Sequence, residues 1–175
     1  DGDDVADVQE ELLRGIDVTD AHHGGMIALS PVGDILFCDG VFHRSQLETP
    51  FGVCRGVDAT TYRFRPATRS VRREYQTLTP NPWKITFDRW GNLHHMYGDG
   101  FVQDSHAIPW TPFGVYHPFG RSIAIRYGKG SGACTISSPN FPDAYQDGMA
   151  SATLLGRYFV AISRMSAETG PFKAS

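Results

Sequence analysis

The chain has 175 residues, 41% of them apolar, and a formal net charge of −3 from 16 basic and 19 acidic residues. These totals suit one globular domain, and without a basic excess they exclude a typical nucleic-acid-binding surface. No apolar run approaches the ~18 residues that span a bilayer. The chain opens on DGDDVAD, which is not a signal peptide, and ends on ETGPFKAS without a closing element, so both ends look cut and we expect a piece of a longer chain.

The acidic N-terminus predicts a short lead-in with two features. Residues 5–14 form the one helix that the sequence predicts. The acidic spacing resembles an EF-hand-type loop, which places oxygen ligands at alternate positions and ends on a carboxylate. The Gly position of that loop holds Asp4 here, and a solvated acidic terminus is the alternative. The calcium ligands in this hypothesis are Asp1, Asp3, Asp7 and Glu10.

An internal repeat follows the lead-in. Residues 26–42 align with residues 84–101, and each copy reads as a strand, a tight turn at Gly33-Asp34 or Gly91-Asn92, and a second strand. The copies lie further apart than the ~40–50 residues of common propeller blades, so we expect a long loop between them.

The other predicted elements are also strands. Residues 59–67 and 70–78 follow the first copy, and residues 133–142 and 154–165 match the repeat in rhythm only. The fold class is therefore all-β, and repeated four-strand units favour a β-propeller fragment over a β-sandwich. We expect about three blades of a six- or seven-bladed propeller. We divide the chain into a lead-in (1–18), a first unit (19–78), a second unit (79–130) and an incomplete third unit (131–175).

Histidines beside glycines give the first candidate for catalysis. His22 and His23 precede Gly24-Gly25, where the backbone can approach a ligand closely. Adjacent residues of a strand point to opposite faces, so at most one of the two serves a given site. Such a histidine can act as a general base or bind a metal, and a loop histidine bonded to backbone is the alternative.

Polar residues after predicted strands give the other candidates. His43 and Gln46 follow the first hairpin in a polar loop that ends at the Pro50-Phe51-Gly52 turn, and Glu48 of that loop is expected to brace the neighbouring blade. Asn81 lies between two prolines that stiffen it. We expect His94, His95 and Asp99 to follow the second hairpin, where Asp99 between two glycines can approach a cation or form an ordinary turn.

The cysteines predict no cofactor attachment in this segment. Cys38, Cys54 and Cys134 form no C-x-x-C pair, which argues against zinc ribbons, thioredoxin motifs and c-type haem attachment. Cys38 lies in an apolar strand and reads as a small core residue.

Several strings occur in the order found in one family: DGDDVAD, TDAHHG, DGVFHRSQLETPFG, YRFRPATR, NPWKITFDRWGN and SSPNFPD. The chain resembles, over about residues 1–165, the propeller domain of the PVC-type (planctomycete–verrucomicrobial) membrane-bound dehydrogenases. That family is similar to the glucose and sorbosone dehydrogenase propellers. The resemblance implies a secreted or periplasmic protein, often extended by a c-type cytochrome domain outside this segment.

The resemblance also implies site roles. His22, with His23 as alternate, matches the base that takes a hydroxyl proton as hydride passes to a quinone beside Ca²⁺. Asn81 matches an Asn of the quinone site, and Asp99 falls near the calcium-binding backbone. Pro80 and the Trp83-Lys84 pair depart from the family pattern, where an Arg and a small or polar pair are expected.

Two function hypotheses result. The first is oxidation of a sugar or other alcohol, with electrons passed to a quinone or haem partner. The alternative is a non-catalytic propeller that binds carbohydrate or a protein partner.

Overall fold

The computed structural model describes residues 5–20, 26–76, 82–89, 91, 93–97, 102–104, 130–153, 160–166 and 173–174. Within these ranges the chain is all-β, as the sequence predicts, with two short 3₁₀ turns at Pro66–Thr68 and Asp143–Tyr145. None of the described segments is a helix with the length and apolar character needed to cross a membrane. The strands are β1 (Ile27–Leu29), β2 (Ile35–Cys38), β3 (Gln46–Thr49), β4 (Gly52–Arg55), β5 (Thr60–Arg65), β6 (Ser70–Gln76), β7 (Pro82–Phe87), β8 (Leu93–Tyr97), β9 (Val102–Asp104), β10 (Gly130–Thr135), β11 (Gly148–Thr153), β12 (Val160–Ser166) and β13 (Lys173–Ala174).

The helix predicted for residues 5–14 is wrong. No helix forms at these residues, and only the end of the segment pairs with β3: the Gln46 N–H donates to the Gly15 carbonyl at 2.9 Å and the Glu48 N–H donates to the Arg14 carbonyl at 3.1 Å. An isolated helix of this length is marginal in water, so pairing with a neighbouring strand decides the conformation.

The first sheet is an antiparallel sheet with strand order β1-β2-β5-β6. The predicted strands at residues 59–67 and 70–78 are confirmed as β5 and β6, and their alternating side chains divide the sheet into two faces. Leu36 and Cys38 point to one face, and Ile35, Phe37 and Phe64 point to the other.

The two copies of the sequence repeat fold into the same kind of hairpin. The Gly33 N–H donates to the Ser30 carbonyl and the Gly91 N–H donates to the Asp88 carbonyl, both at 3.0 Å. Both glycines have φ of +83°, a conformation that glycine adopts without steric cost. The glycine therefore ends the turn, and Asp34 lies just beyond it, immediately before β2.

The polar loop predicted after the first hairpin is in part a second hairpin. Gln46 and Glu48 belong to β3, which pairs with β4 across the predicted Pro50-Phe51 turn. Because β3 is half exposed, polar residues alternate with buried Leu47, and such alternation reads equally as a loop or as an edge strand.

The second sheet has the order β7-β8-β9 and the third has the order β10-β11-β12-β13. His94 and His95 lie within β8, both buried, so their expected position after the hairpin is wrong. In the third unit the predicted strand at residues 133–142 ends at Thr135, and β11 was missed because Gly148, Ala150 and Ser151 are weak strand formers.

Successive sheets pack through their first strands. β7 contacts β1 and β2 of the first sheet and β10 of the third. Leu36, Cys38, Ile85 and Leu93 form a common core between the first and second sheets. The Thr135 hydroxyl donates to the Phe87 carbonyl at 2.7 Å and joins the third sheet to the second.

Candidate functional site

A cavity of about 390 Å³ lies between the N-terminal segment and the outer face of the first sheet. Its wall is almost entirely aliphatic and aromatic, and three polar residues line it. The lining residues are Leu12, Leu13, Ile16, Asp17, Val18, Ile27, Ile35, Phe37, Cys38, Asp39, His43 and Phe64.

Strand register brings the apolar wall together. Ile27 pairs with Phe37, and Ile35 pairs with Phe64, so these side chains share one face of three neighbouring strands. The Phe37 ring stacks on Tyr62 with centroids 5.1 Å apart, which fixes the position of the Phe37 ring in the wall.

A buried carboxylate marks the inner end of the cavity. Asp39 is 1% exposed. Its Oδ2 accepts a hydrogen bond from the Tyr62 hydroxyl at 2.7 Å, and its Oδ1 accepts one from the Ser45 hydroxyl at 2.9 Å. Burial raises the pKa of Asp39, and these two hydrogen bonds partly offset the increase. Burial likewise raises the pKa of Tyr62, which therefore stays a donor.

His43 lies beside this carboxylate and is held by the backbone. Its Nε2 is 3.2 Å from the Asp20 carbonyl oxygen, and its Nδ1 is 3.4 Å from the Gly40 nitrogen, whose N–H donates to it. A carbonyl only accepts, so the proton of the neutral ring is on Nε2. Both ring nitrogens thus have backbone partners, which hold the imidazole in one orientation.

Asp17 links the N-terminal segment by a hydrogen bond to the loop that contains His43. Its carboxylate accepts hydrogen bonds from Thr19 and from the Arg44 N–H, the latter at 2.6 Å. The Thr19 hydroxyl and N–H, followed by the Arg44 N–H, lower the pKa of Asp17 to about 2. The carboxylate is therefore ionised at neutral pH.

The loops next to Asp39 and His43 hold strained backbone. Phe42, Asp58 and Ala59 have φ of +67°, +44° and +47°, values that non-glycine residues rarely adopt. The Phe42 N–H donates to Asp58 Oδ1 at 2.9 Å, and the Ala59 N–H donates to the Gly40 carbonyl at 2.8 Å. Strain of this kind persists where the surrounding bonds over-determine the conformation.

The predicted site residues fall into three groups. His43 lines the cavity. Gln46 does not: it is exposed on β3, where its Oε1 accepts a hydrogen bond from Arg55 Nε at 3.2 Å. Glu48 is exposed, and its backbone N–H donates to the Arg14 carbonyl at 3.1 Å. His22, His23, Asn81, Asp99, Asp1 and Asp3 lie outside the described residues.

The predicted calcium ligands that are described lie on the exposed N-terminal segment. Glu10 forms an ion pair with Arg69 in the turn between β5 and β6. Asp7 is exposed. Among the described residues no group of three or more His, Cys, Asp or Glu could hold a metal ion.

Sequence reasoning missed Asp39, Ser45 and Tyr62, the polar end of the cavity. Asp39 precedes Gly40 and reads as a turn residue, and Tyr62 reads as an ordinary buried strand residue. The aspartate's position at the end of an apolar strand was the available signal, because a carboxylate there requires hydrogen-bond donors from elsewhere.

Two other buried groups are held in their uncharged forms at neutral pH. Burial raises the pKa of the Cys38 thiol to about 12 and lowers the pKa of His95 to about 3. The thiol is therefore protonated, and the imidazole is neutral.

Comparison with known protein families, with curated proteins and with solved structures finds no match.

Proposed function

We propose that the chain is a β-propeller segment whose cavity binds a small molecule with an apolar body and a hydroxyl head. The observation that carries the proposal is the apolar cavity ending at the buried Asp39 carboxylate. Ligand sites in proteins are typically concave and mostly apolar, with a few placed polar groups that fix orientation.

The propeller interpretation is supported by the order of the sheets. The three larger sheets are antiparallel, and their strands follow one another in chain order except that the first sheet skips the β3–β4 hairpin. The first strand of the second sheet, β7, contacts β1 and β10, the first strands of the first and third sheets. The equivalent turns also lie side by side, since a Cβ on Gly91 would be 3.8 Å from Pro31 Cγ. Blades of a propeller stack in this way around a central axis.

The head group is inferred from the acceptors at the inner end. Each Asp39 oxygen already accepts one hydrogen bond, and a carboxylate oxygen has a second lone pair for a ligand donor. The wall disfavours a sugar, because a sugar would bury many hydroxyls against aliphatic side chains. An alcohol with an apolar body matches both parts.

Methyl NMR tests the binding. Ile16, Ile27 and Ile35 line the cavity, whereas Ile85 lies in the core between the sheets and serves as an internal control. Benzyl alcohol is expected to shift the three cavity isoleucines saturably, to leave Ile85 unmoved, and to bind more tightly than toluene. Shifts at Ile85 equal to those at the cavity would refute the proposal, and so would equal affinity for toluene.

A pair of valine variants locates the ligand. Val18, at the cavity rim, is 74% exposed, so Val18→Arg is tolerated at the surface and places a charge at the entrance. Val53→Arg changes an exposed valine of β4 that does not line the cavity. We expect weaker benzyl alcohol binding in Val18→Arg alone.

Oxidation of the bound alcohol is the second candidate, favoured by the resemblance to the dehydrogenase propellers. The base in this proposal is His22, because the backbone engages both ring nitrogens of His43. A secreted or periplasmic location and a quinone or haem electron acceptor belong to the same proposal. The described residues supply no metal-binding group, and we assign no step to calcium or quinone.

Dye reduction by the complete protein tests the oxidation. Alcohols and sugars are assayed with added quinone and Ca²⁺, and His22→Ala is expected to lose turnover while retaining ligand binding. Binding without turnover in the wild type would contradict the oxidation and support a non-catalytic propeller that binds its ligand.

A further inference from the structure

A second cavity, of about 290 Å³, lies on the face of the first sheet opposite the apolar cavity. It sits beside the β5–β6 turn, and by strand alternation Arg63 and Arg65 point away from Phe64. We call it the arginine pocket. Its lining residues are Asp34, Arg63, Arg65, Ser70, Val71 and Arg72.

Two carboxylates order the arginines. Asp34, whose side chain is 3% exposed, accepts from Arg65 Nε at 2.9 Å and Nη2 at 3.1 Å, and from Arg63 Nη1 at 3.3 Å. Glu74 accepts from Arg63 Nε at 3.0 Å and Nη2 at 2.6 Å, and it contacts Arg72 Nη2 at 3.3 Å. Three guanidinium groups therefore share two carboxylates, which leaves one positive charge in excess.

The excess charge lies at the outer side of the pocket. Arg63 is held between both carboxylates, whereas the Arg65 and Arg72 side chains are 55% and 68% exposed. Arg65 Nη1 and Arg72 Nε and Nη1 have no protein acceptor within the described ranges. These donors come from adjacent strands and are already oriented by Asp34 and Glu74, so little ordering entropy is lost when they bind an anion.

We propose that the arginine pocket binds a phosphate-sized oxyanion between Arg65 and Arg72. Guanidinium groups pair with phosphate oxygens through charge-assisted hydrogen bonds. The Ser70 hydroxyl, 2.8 Å from the Thr68 hydroxyl, donates to the anion when Thr68 donates to it. This site is independent of the apolar cavity and of the function proposed for it.

Titration calorimetry with inorganic phosphate in low-chloride buffer tests the site. The wild type is expected to bind with a dissociation constant in the millimolar range, because solvent competes at both exposed arginines. Arg72→Gln removes one donor without disturbing the pairing of Arg63, and binding is expected to weaken about tenfold. Arg55→Gln removes an exposed arginine of β4 and is expected to bind phosphate as the wild type does.

A second variant separates site binding from general charge. Ser70→Asp keeps all three arginines and places a carboxylate in the pocket, which is expected to abolish phosphate binding. Circular dichroism confirms that each variant retains its β-structure. Absence of saturable binding in the wild type overturns the proposal, as does equal weakening in Arg55→Gln or undiminished binding in Ser70→Asp.

Discussion

At the scale of single residues, the decisive feature is a buried acid, Asp39, whose charge the fold accommodates through Tyr62 and Ser45. The approach of Tyr62 depends on a small neighbour. A Cβ on Gly56 would lie 2.0 Å from the Tyr62 hydroxyl oxygen and 2.8 Å from Thr60 Oγ1. Glycine is required there for space.

Gly56→Ala is therefore expected to destabilise the protein. The added methyl group displaces the Tyr62 hydroxyl from Asp39, and overpacking of this kind costs about 1–3 kcal/mol. Urea denaturation followed by circular dichroism measures the free energy of unfolding.

Gly132→Ala is the matched control, because a Cβ on Gly132 meets nothing within 4 Å. We expect that variant to unfold within about 0.5 kcal/mol of the wild type. An equal loss in both variants would show that the space beside Tyr62 is not the cause.

At the scale of elements, the two repeated hairpins share a turn but differ in the residue that comes after the turn glycine. In the first hairpin this residue is Asp34, which joins β2 to β5 through Arg63 and Arg65. The hydrogen bond from Arg65, aided by Arg63 and opposed by burial, lowers the pKa of Asp34. In the second hairpin the corresponding residue is Asn92, which carries no charge.

The lowered pKa of Asp34 predicts a specific dependence of stability on pH. The unfolded chain binds more protons than the folded chain between the folded pKa and the unfolded pKa of about 3.9, so stability rises with pH in that window. The contribution is complete above the unfolded pKa and is lost as pH falls through the folded pKa. Asp34→Asn is expected to lower stability at pH 7. It is also expected to flatten the acid limb, the acidic part of the curve of stability against pH, as measured by urea denaturation.

Asp143→Asn, at an exposed aspartate of the second 3₁₀ turn, controls for the loss of one negative charge. It is expected to keep the acid limb of the wild type. An unchanged acid limb in Asp34→Asn would contradict the assignment.

At the scale of the whole molecule, the sheets form one stack because neighbouring sheets share contacts. Leu36 is fully buried in the core that the first sheet shares with Ile85 and Leu93 of the second. Arg89 forms an ion pair with Asp147 at 2.8 Å between the second and third sheets, and Thr135 adds a hydrogen bond.

Leu36→Ala is therefore expected to weaken both sheets together. Truncation of a buried leucine costs about 2–5 kcal/mol, and one transition should shift as a whole in urea. Leu29→Ala makes the same change on β1, where the side chain is 70% exposed, and should cost within about 0.5 kcal/mol. A variant in which one sheet unfolds and the other keeps its wild-type midpoint would disprove the shared core.

Local sequence predicts much of the fold because many strands and turns are marked by patterns within a few residues. Alternation revealed β5 and β6, and the repeated Gly33 and Gly91 revealed two hairpins with the same turn. The prediction of an N-terminal helix is wrong because a short segment has only a weak preference for helix. Hydrogen bonds from β3, which is remote in sequence, to the end of this segment outweigh that preference.

The sequence by itself determined the all-β class, the paired hairpins and the polar character of residues 43–48, since each depends on neighbours within a few positions. The tertiary structure alone decided which side chains meet. Asp39 and Tyr62 are 23 residues apart and Asp34 and Arg65 are 31 apart, yet strand pairing brings each pair into hydrogen-bonding contact. Contacts between distant residues depend on which strands pair, here β2 with β5 across the intervening β3–β4 hairpin, and no local pattern encodes that choice.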